Sequence, residues 1–198
     1  MTLLSMVGAL GNTFTTAEAL GSGVHRRELY SLRDDGSLIE LSRGVFRWAD
    51  APVPTFPDLL AVSRRVPVAI VCCVSAAAVY DLTDEIPIAV QFAVPRQHRS
   101  PRIDHPPTEV FRFTAERFEL GLSSVEAAIG EFVRIYNRER TVADLMRLRN
   151  RLGEPLALAA LRRYLHSRDA RPRDLLAVAR ELNILGPVRT AMDAVTAE

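Results

Sequence analysis

The sequence predicts an α+β protein in two parts, and three features of the chain predict it. Residues Thr15 to Trp48 read as helix, glycine turn, helix and β-hairpin. Three prolines fall within Ala51 to Pro57, and the last third carries apolar positions at three- and four-residue steps. The first feature is the layout of a winged helix-turn-helix, the second of a linker, the third of packed amphipathic helices. The expected division is a winged helix over 1–50, a linker over 51–57 and a mixed α/β C-terminal domain over 58–198. That domain is expected to hold a small sheet over about 87–136 and to end in a helical bundle over about 141–196.

The N-terminal elements follow from residue chemistry. Thr2 to Leu10 is apolar at helical spacing and predicts a first helix. Thr15 with Glu18 three positions on is a capping box, which starts a second. Gly21-Ser22-Gly23 breaks it with residues that tolerate positive φ. The next helix is expected to begin near His25 and to end near Asp34 and Asp35, with Leu29 and Leu32 on its inner side. Arg26, Arg27, Tyr30 and Ser31 fall on the opposite side. Leu38 to Leu41 and Val45 to Trp48 then flank Ser42-Arg43-Gly44, a three-residue hairpin loop with glycine where positive φ is needed.

Further along, a short helix is expected from Asp58 to Arg65 and another starting just after Pro67. Ile88 to Val94, between two prolines, reads as a buried strand, and Thr108 to Phe113 alternates and should pair with it. Two more extended pieces are expected between Phe118 and Ile135, with Arg96 to Pro107 as a polar loop. Thr141 with Asp144 forms a second capping-box pattern and should start a helix. Leu156 to Leu165, Leu175 to Leu182 and Val188 to Val195 read as further helices, with Asn183 and Gly186 as stops.

Composition narrows the function classes. The net charge is +1, so no global field draws the chain to nucleic acid, and local arginine placement must do so. All 25 basic residues are arginine. Cys72 and Cys73 are adjacent in an apolar run and read as inert buried thiols. No span of about 20 apolar residues crosses a membrane, and the N-terminus lacks a basic signal-peptide region; the expectation is a cytoplasmic protein with no membrane partner.

No catalytic or metal constellation is legible. The four histidines have no helical metal spacing, Ser75 lacks the glycines of a nucleophile elbow, and there is no phosphate loop. Asp81, Asp84 and Glu85 read as a solvated helix end. The expectation is a non-enzyme without cofactor or metal. The candidate DNA-binding residues are His25, Arg26, Arg27, Tyr30 and Ser31 on the helix, with Arg43 and Arg47 from the wing on the flanking phosphates. Between Arg134 and Arg173, eleven arginines face four acids. Arg147, Arg151, Arg162 and Arg163 are therefore candidates for a partner-protein surface or a second DNA contact, with a solvated helix face as the alternative.

Four segments resemble AbiEi-type antitoxins of bacterial type IV toxin–antitoxin and abortive-infection systems. They are TTAEALGSGVHRRELYSLRDDGSLIELSRGVFRW, VSAAAVYDLTDEIPIAVQFAVP (Val74 to Pro95), YNRERTVADLMRLR (Tyr136 to Arg149) and RPRDLLAVARELNI (Arg171 to Ile184). The resemblance implies an N-terminal DNA-binding domain that represses its own operon. It also implies a C-terminal domain that counteracts a nucleotidyltransferase-like toxin, by contact or otherwise. The alternative is an ordinary winged-helix transcription factor whose C-terminal domain senses a small ligand.

Overall fold

A computed structural model describes residues 10–99 and 101–196; the helix expected over Thr2 to Leu10 therefore lies outside the described residues, apart from Leu10. The chain divides into two compact units. The first comprises residues 1–68, 101–108 and 126–133, the second residues 69–100, 109–125 and 134–198. The segment expected as a linker, 51–57, lies inside the first unit, as does the helix that follows it.

The first unit contains β1 (Thr13–Thr15), α1 (Thr16–Gly21), α2 (Arg26–Asp34), β2 (Leu38–Ser42), β3 (Val45–Trp48) and α3 (Pro57–Arg65). The capping box at Thr15 is present: the Glu18 N–H donates to Thr15 Oγ1 at 3.2 Å, and the Thr15 N–H donates to Glu18 Oε2 at 2.6 Å. The three strands form an antiparallel sheet in the order β1-β3-β2. β1 was not expected, and it makes β3 the central strand. The turn between β2 and β3 is Arg43-Gly44, with Ser42 paired to Val45 and an irregularity between Glu40 and Ser42. Gly44 has φ +76°, and a Cβ there would meet Thr16 Oγ1 at 3.0 Å, so this turn requires glycine. The core joins Phe14, Ala19, Val24, Leu29, Leu32, Leu38 and Phe46, with Leu10, Tyr30 and Trp48 packed at its edge. α3 buries Leu59 to Val62 and packs on all three strands.

The other sheet, β6-β5-β4-β8-β7, consists of β4 (Ile70–Val71), β5 (Val90–Pro95), β6 (Thr108–Phe113), β7 (Leu122–Ala128) and β8 (Glu131–Tyr136); it falls mainly in the second unit, with residues 126–133 of the β7–β8 hairpin counted in the first. β4 runs antiparallel to β5 and parallel to β8. The helices are α4 (Cys73–Val79), α5 (Arg138–Arg147), α6 (Arg149–Leu152), α7 (Glu154–His166), α8 (Pro172–Glu181) and α9 (Leu185–Thr196). Central among them is α5, which contacts α4, α7 and α8 and is buried from Glu139 to Met146.

Four local expectations need correction here. The run after Pro67 opens with strand β4, and its helix starts only at Cys73; the β-branched Ile70 and Val71 take a place between β5 and β8. Thr141 is no cap. The cap of α5 is Asn137, whose side chain accepts from the Arg140 N–H at 2.9 Å, and Thr141 lies one turn inside, with its hydroxyl bonded to the Tyr136 carbonyl. The strand expected from Ile88 begins at Val90, leaving Ile88 exposed. Asn183 does follow the end of α8, at φ +59°, but Gly186 lies within α9.

Candidate nucleic-acid interface

Two side chains decide how α2 sits. Leu29 and Leu32 are buried in the core, which turns the other side of the helix outward. His25 caps the helix at its start, and its N–H donates to Glu28 Oε2 at 3.0 Å. His25, Arg26, Arg27 and Ser31 are exposed. Tyr30 is not part of that open face. Its ring meets Phe46 edge-on with centroids 6.1 Å apart, and Arg33 lies over it at 4.7 Å. Position 30 sits between the two sides of the helix, and an aromatic ring there reaches the core edge more readily than solvent.

Charge is graded along α2. Arg26 and Arg27 occupy its first turn, whereas Asp34 ends it and Asp35 caps it. Hydrogen bonds from Ser37 hold the Asp35 carboxyl below the usual carboxylate range. The open face is therefore cationic at its N-terminal end, the end that a recognition helix inserts into the major groove. Arg33 is occupied by Asp34 and Glu40. Glu40 also accepts the Gly44 N–H at 2.8 Å, which fixes the β2–β3 turn and leaves Arg43 exposed at its tip.

Arg47, expected to lie against phosphate, is buried instead, with 2% of its side chain exposed. It donates to the carboxylate of Glu131, to Thr13 Oγ1 and to the Pro52 carbonyl. The cause is α3, which packs on β3 and on both its neighbours and covers the face that an isolated hairpin would leave to solvent, so Arg47 needs an internal counter-charge. Glu131 supplies it and also pairs with Arg64 at 3.2 Å. The sequence did not show this pairing because Glu131 lies 84 residues from Arg47.

Residues 3–48 match the family profile described as transcriptional regulator, AbiEi antitoxin. The N-terminal segment is of the AbiEi antitoxin type. The profile covers the AbiEi-type segment alone and ends at Trp48, the last residue of β3. In overall structure the chain is similar to the crystal structure of the RV2827C protein from Mycobacterium tuberculosis, at 15% identity and a TM-score of 0.47. That likeness covers 98% of this chain and 81% of the other. No curated protein matches the sequence.

Beyond the AbiEi-type segment, the arginine surplus of the second unit is largely engaged. Arg140 and Asp144 form an ion pair at 2.8 Å with neither side chain exposed. Arg140 also donates to the carbonyls of Arg117 and Leu120 and lies 4.4 Å over the Tyr136 ring. Arg147 pairs with Asp144 at 2.8 Å and stacks over Phe113 at 4.6 Å, so it is half-buried rather than presented on an open face. Arg151 pairs with Glu109 and stacks over Phe111, and Arg163 pairs with Asp84. Arg162 is exposed. Counting charge along the sequence missed this because Glu109 and Asp84 come from distant segments and the rings of β6 supply π faces.

Cys72 and Cys73 are buried and unbridged, and burial pushes the Cys72 thiol well up, which keeps it protonated. Among the described residues no cluster of three His, Cys, Asp or Glu side chains could hold a metal ion. Nor, among them, is any helix long and apolar enough to cross a membrane. A cavity of about 440 Å³ in the second unit is lined in part by Tyr80, Asp84, Arg138, Arg163 and His166.

Proposed function

We propose that the protein is an antitoxin and transcriptional autorepressor whose N-terminal unit is a winged helix-turn-helix that binds operator DNA in its own promoter. In this reading α2 is the recognition helix. Arg26 and Arg27 read base edges, His25 and Ser31 flank them, and Arg43 at the wing holds a phosphate. The observation that carries it is the exposure of Arg26 and Arg27 at the start of a helix whose other side is locked by Leu29 and Leu32. The AbiEi-type match over the same residues supports it. An arginine bidentate to a guanine contributes about 1–3 kcal/mol of discrimination. The test is a gel-shift titration on the protein's own promoter: the Arg26→Ala, Arg27→Ala double variant should lose binding to the operator while keeping its melting temperature. Unchanged affinity contradicts the assignment.

The same reading gives the second unit the antitoxin role, against a nucleotidyltransferase-like toxin encoded beside it, in a type IV or abortive-infection system. No catalytic role is assigned to it. Of the four C-terminal arginines, Arg147, Arg151 and Arg163 pair with acids of this chain, so an acidic partner would have to compete with those pairs. Co-expression with the neighbouring gene product tests this: the second unit's role requires that full-length protein restores growth. Growth arrest that persists with folded antitoxin present contradicts it.

A ligand-sensing regulator is the other reading, and the 440 Å³ cavity is the observation in its favour. Its size suits a small ligand, but such sites are mostly apolar, whereas Arg163 and Asp84 at its rim neutralise each other.

A further inference from the structure

We infer that the phosphate-binding surface of the wing is a three-arginine patch, Arg43, Arg65 and Arg102, assembled from three separate segments of the first unit and fitted to a nucleic-acid backbone. This rests on the reading of that unit as a DNA-binding winged helix and extends it to two residues outside the motif.

The patch is built by one guanidinium. Arg65, the last residue of α3, donates through Nη1 to the Arg43 carbonyl at 2.6 Å and through Nη2 to the Arg102 carbonyl at 3.4 Å. It thereby holds the wing turn and the segment 101–108 side by side. A second fastening lies beside it: Ser42 Oγ donates to the His105 carbonyl at 2.6 Å. The wing tip and Arg102 are thus neighbours, although 59 residues separate them in sequence.

All three arginines are exposed. Other arginines of the same unit find acids: Arg33 has Asp34 and Glu40, Arg47 has Glu131, and Arg64 has Glu18 and Glu131. Among the described residues the ion pairs include none for Arg43, Arg65 or Arg102. The one acid of residues 101–108, Asp104, is also exposed. Three exposed arginines whose segments meet at one point, none with an ion pair, concentrate positive charge there, and a row of phosphates is its complement. Arg65 spends two of its five N–H donors on the carbonyls, and its planar fork retains donors for an anion. The Arg102 side chain supports nothing else, since only its carbonyl is used. Direction along the backbone, not base identity, is what such a patch reads.

The experiment measures binding of the full chain to its own promoter fragment and to an unrelated fragment of equal length, over a salt series. Arg102→Ala should weaken both alike and lower the slope of log affinity against log salt by about one unit, and Arg43→Ala, Arg102→Ala by about two. Arg65→Ala should do the same or more, with melting curves separating charge from lost anchoring. Arg189→Ala, exposed on α9, should leave the slope unchanged. If Arg102→Ala keeps the wild-type slope while the Arg26, Arg27 variant still loses operator binding, the patch is overturned and the DNA reading stands. If the wild-type chain binds neither fragment, the DNA reading itself fails and the patch with it.

Discussion

The Arg47 guanidinium and the Glu131 carboxylate form an ion pair at the base of the wing, with 2% and 10% of their side chains exposed. The pair ties β3 to the first residue of β8, within one compact unit. A buried charge that loses its partner costs about 3–5 kcal/mol. Glu131→Ala should therefore destabilise the unit by about that much in urea unfolding, whereas Asp169→Ala, on the exposed pair with Arg138, should cost no more than about 1 kcal/mol. Equal, small effects would show that Arg47 has another counter-charge. The same pair predicts that a fragment of residues 1–50 melts at a lower temperature than the first unit does in the full chain, because it lacks Glu131.

Gly121 is fixed by close approach. It has φ +73°, and a Cβ there would lie 2.6 Å from the Arg140 Cβ. Gly121→Ala combines a left-handed strain of about 1–2 kcal/mol with overpacking of about 1–3 kcal/mol. Gly130→Ala, also at positive φ but with no atom within 4 Å, should show the strain alone. Equal losses in denaturant melts would contradict the packing of Arg140 against this turn.

Asp144 gives a pH dependence with a definite sign. Burial raises its carboxyl above the usual range, against the pull of Arg140 and Arg147. The folded state then takes up its proton at higher pH than the unfolded state does. The stability contributed by Asp144 is fully present below the unfolded value of about 4 and declines as pH rises through the raised folded value. The stability of the wild type relative to Asp144→Asn should fall across that window and then level off. A difference that grows with pH would mean that the two arginines outweigh the burial.

What was legible in the sequence was local. The Thr15–Glu18 box, the Leu29 and Leu32 spacing and the glycine of the wing each act within a few residues, and each stands where the pattern placed it. What was not legible depends on partners far along the chain. Arg47 reads as an outward hairpin residue until α3 covers that face of the sheet and Glu131 is brought to it. The surplus of arginines reads as a basic face until Glu109, Asp84 and the rings of Phe111 and Phe113 are brought to it. Thr141 was misread for a different reason: its capping-box pattern is real, but Asn137, four residues earlier, caps first.

The most direct test of the account is the affinity of the wild-type chain for its own promoter fragment against unrelated DNA at about 150 mM salt. Specific recognition through α2 predicts a preference of about 10³-fold or more, lost when Arg26 and Arg27 are both alanine. Equal affinity for the two fragments, or no binding to either, would contradict the assignment of this unit as an operator-binding winged helix.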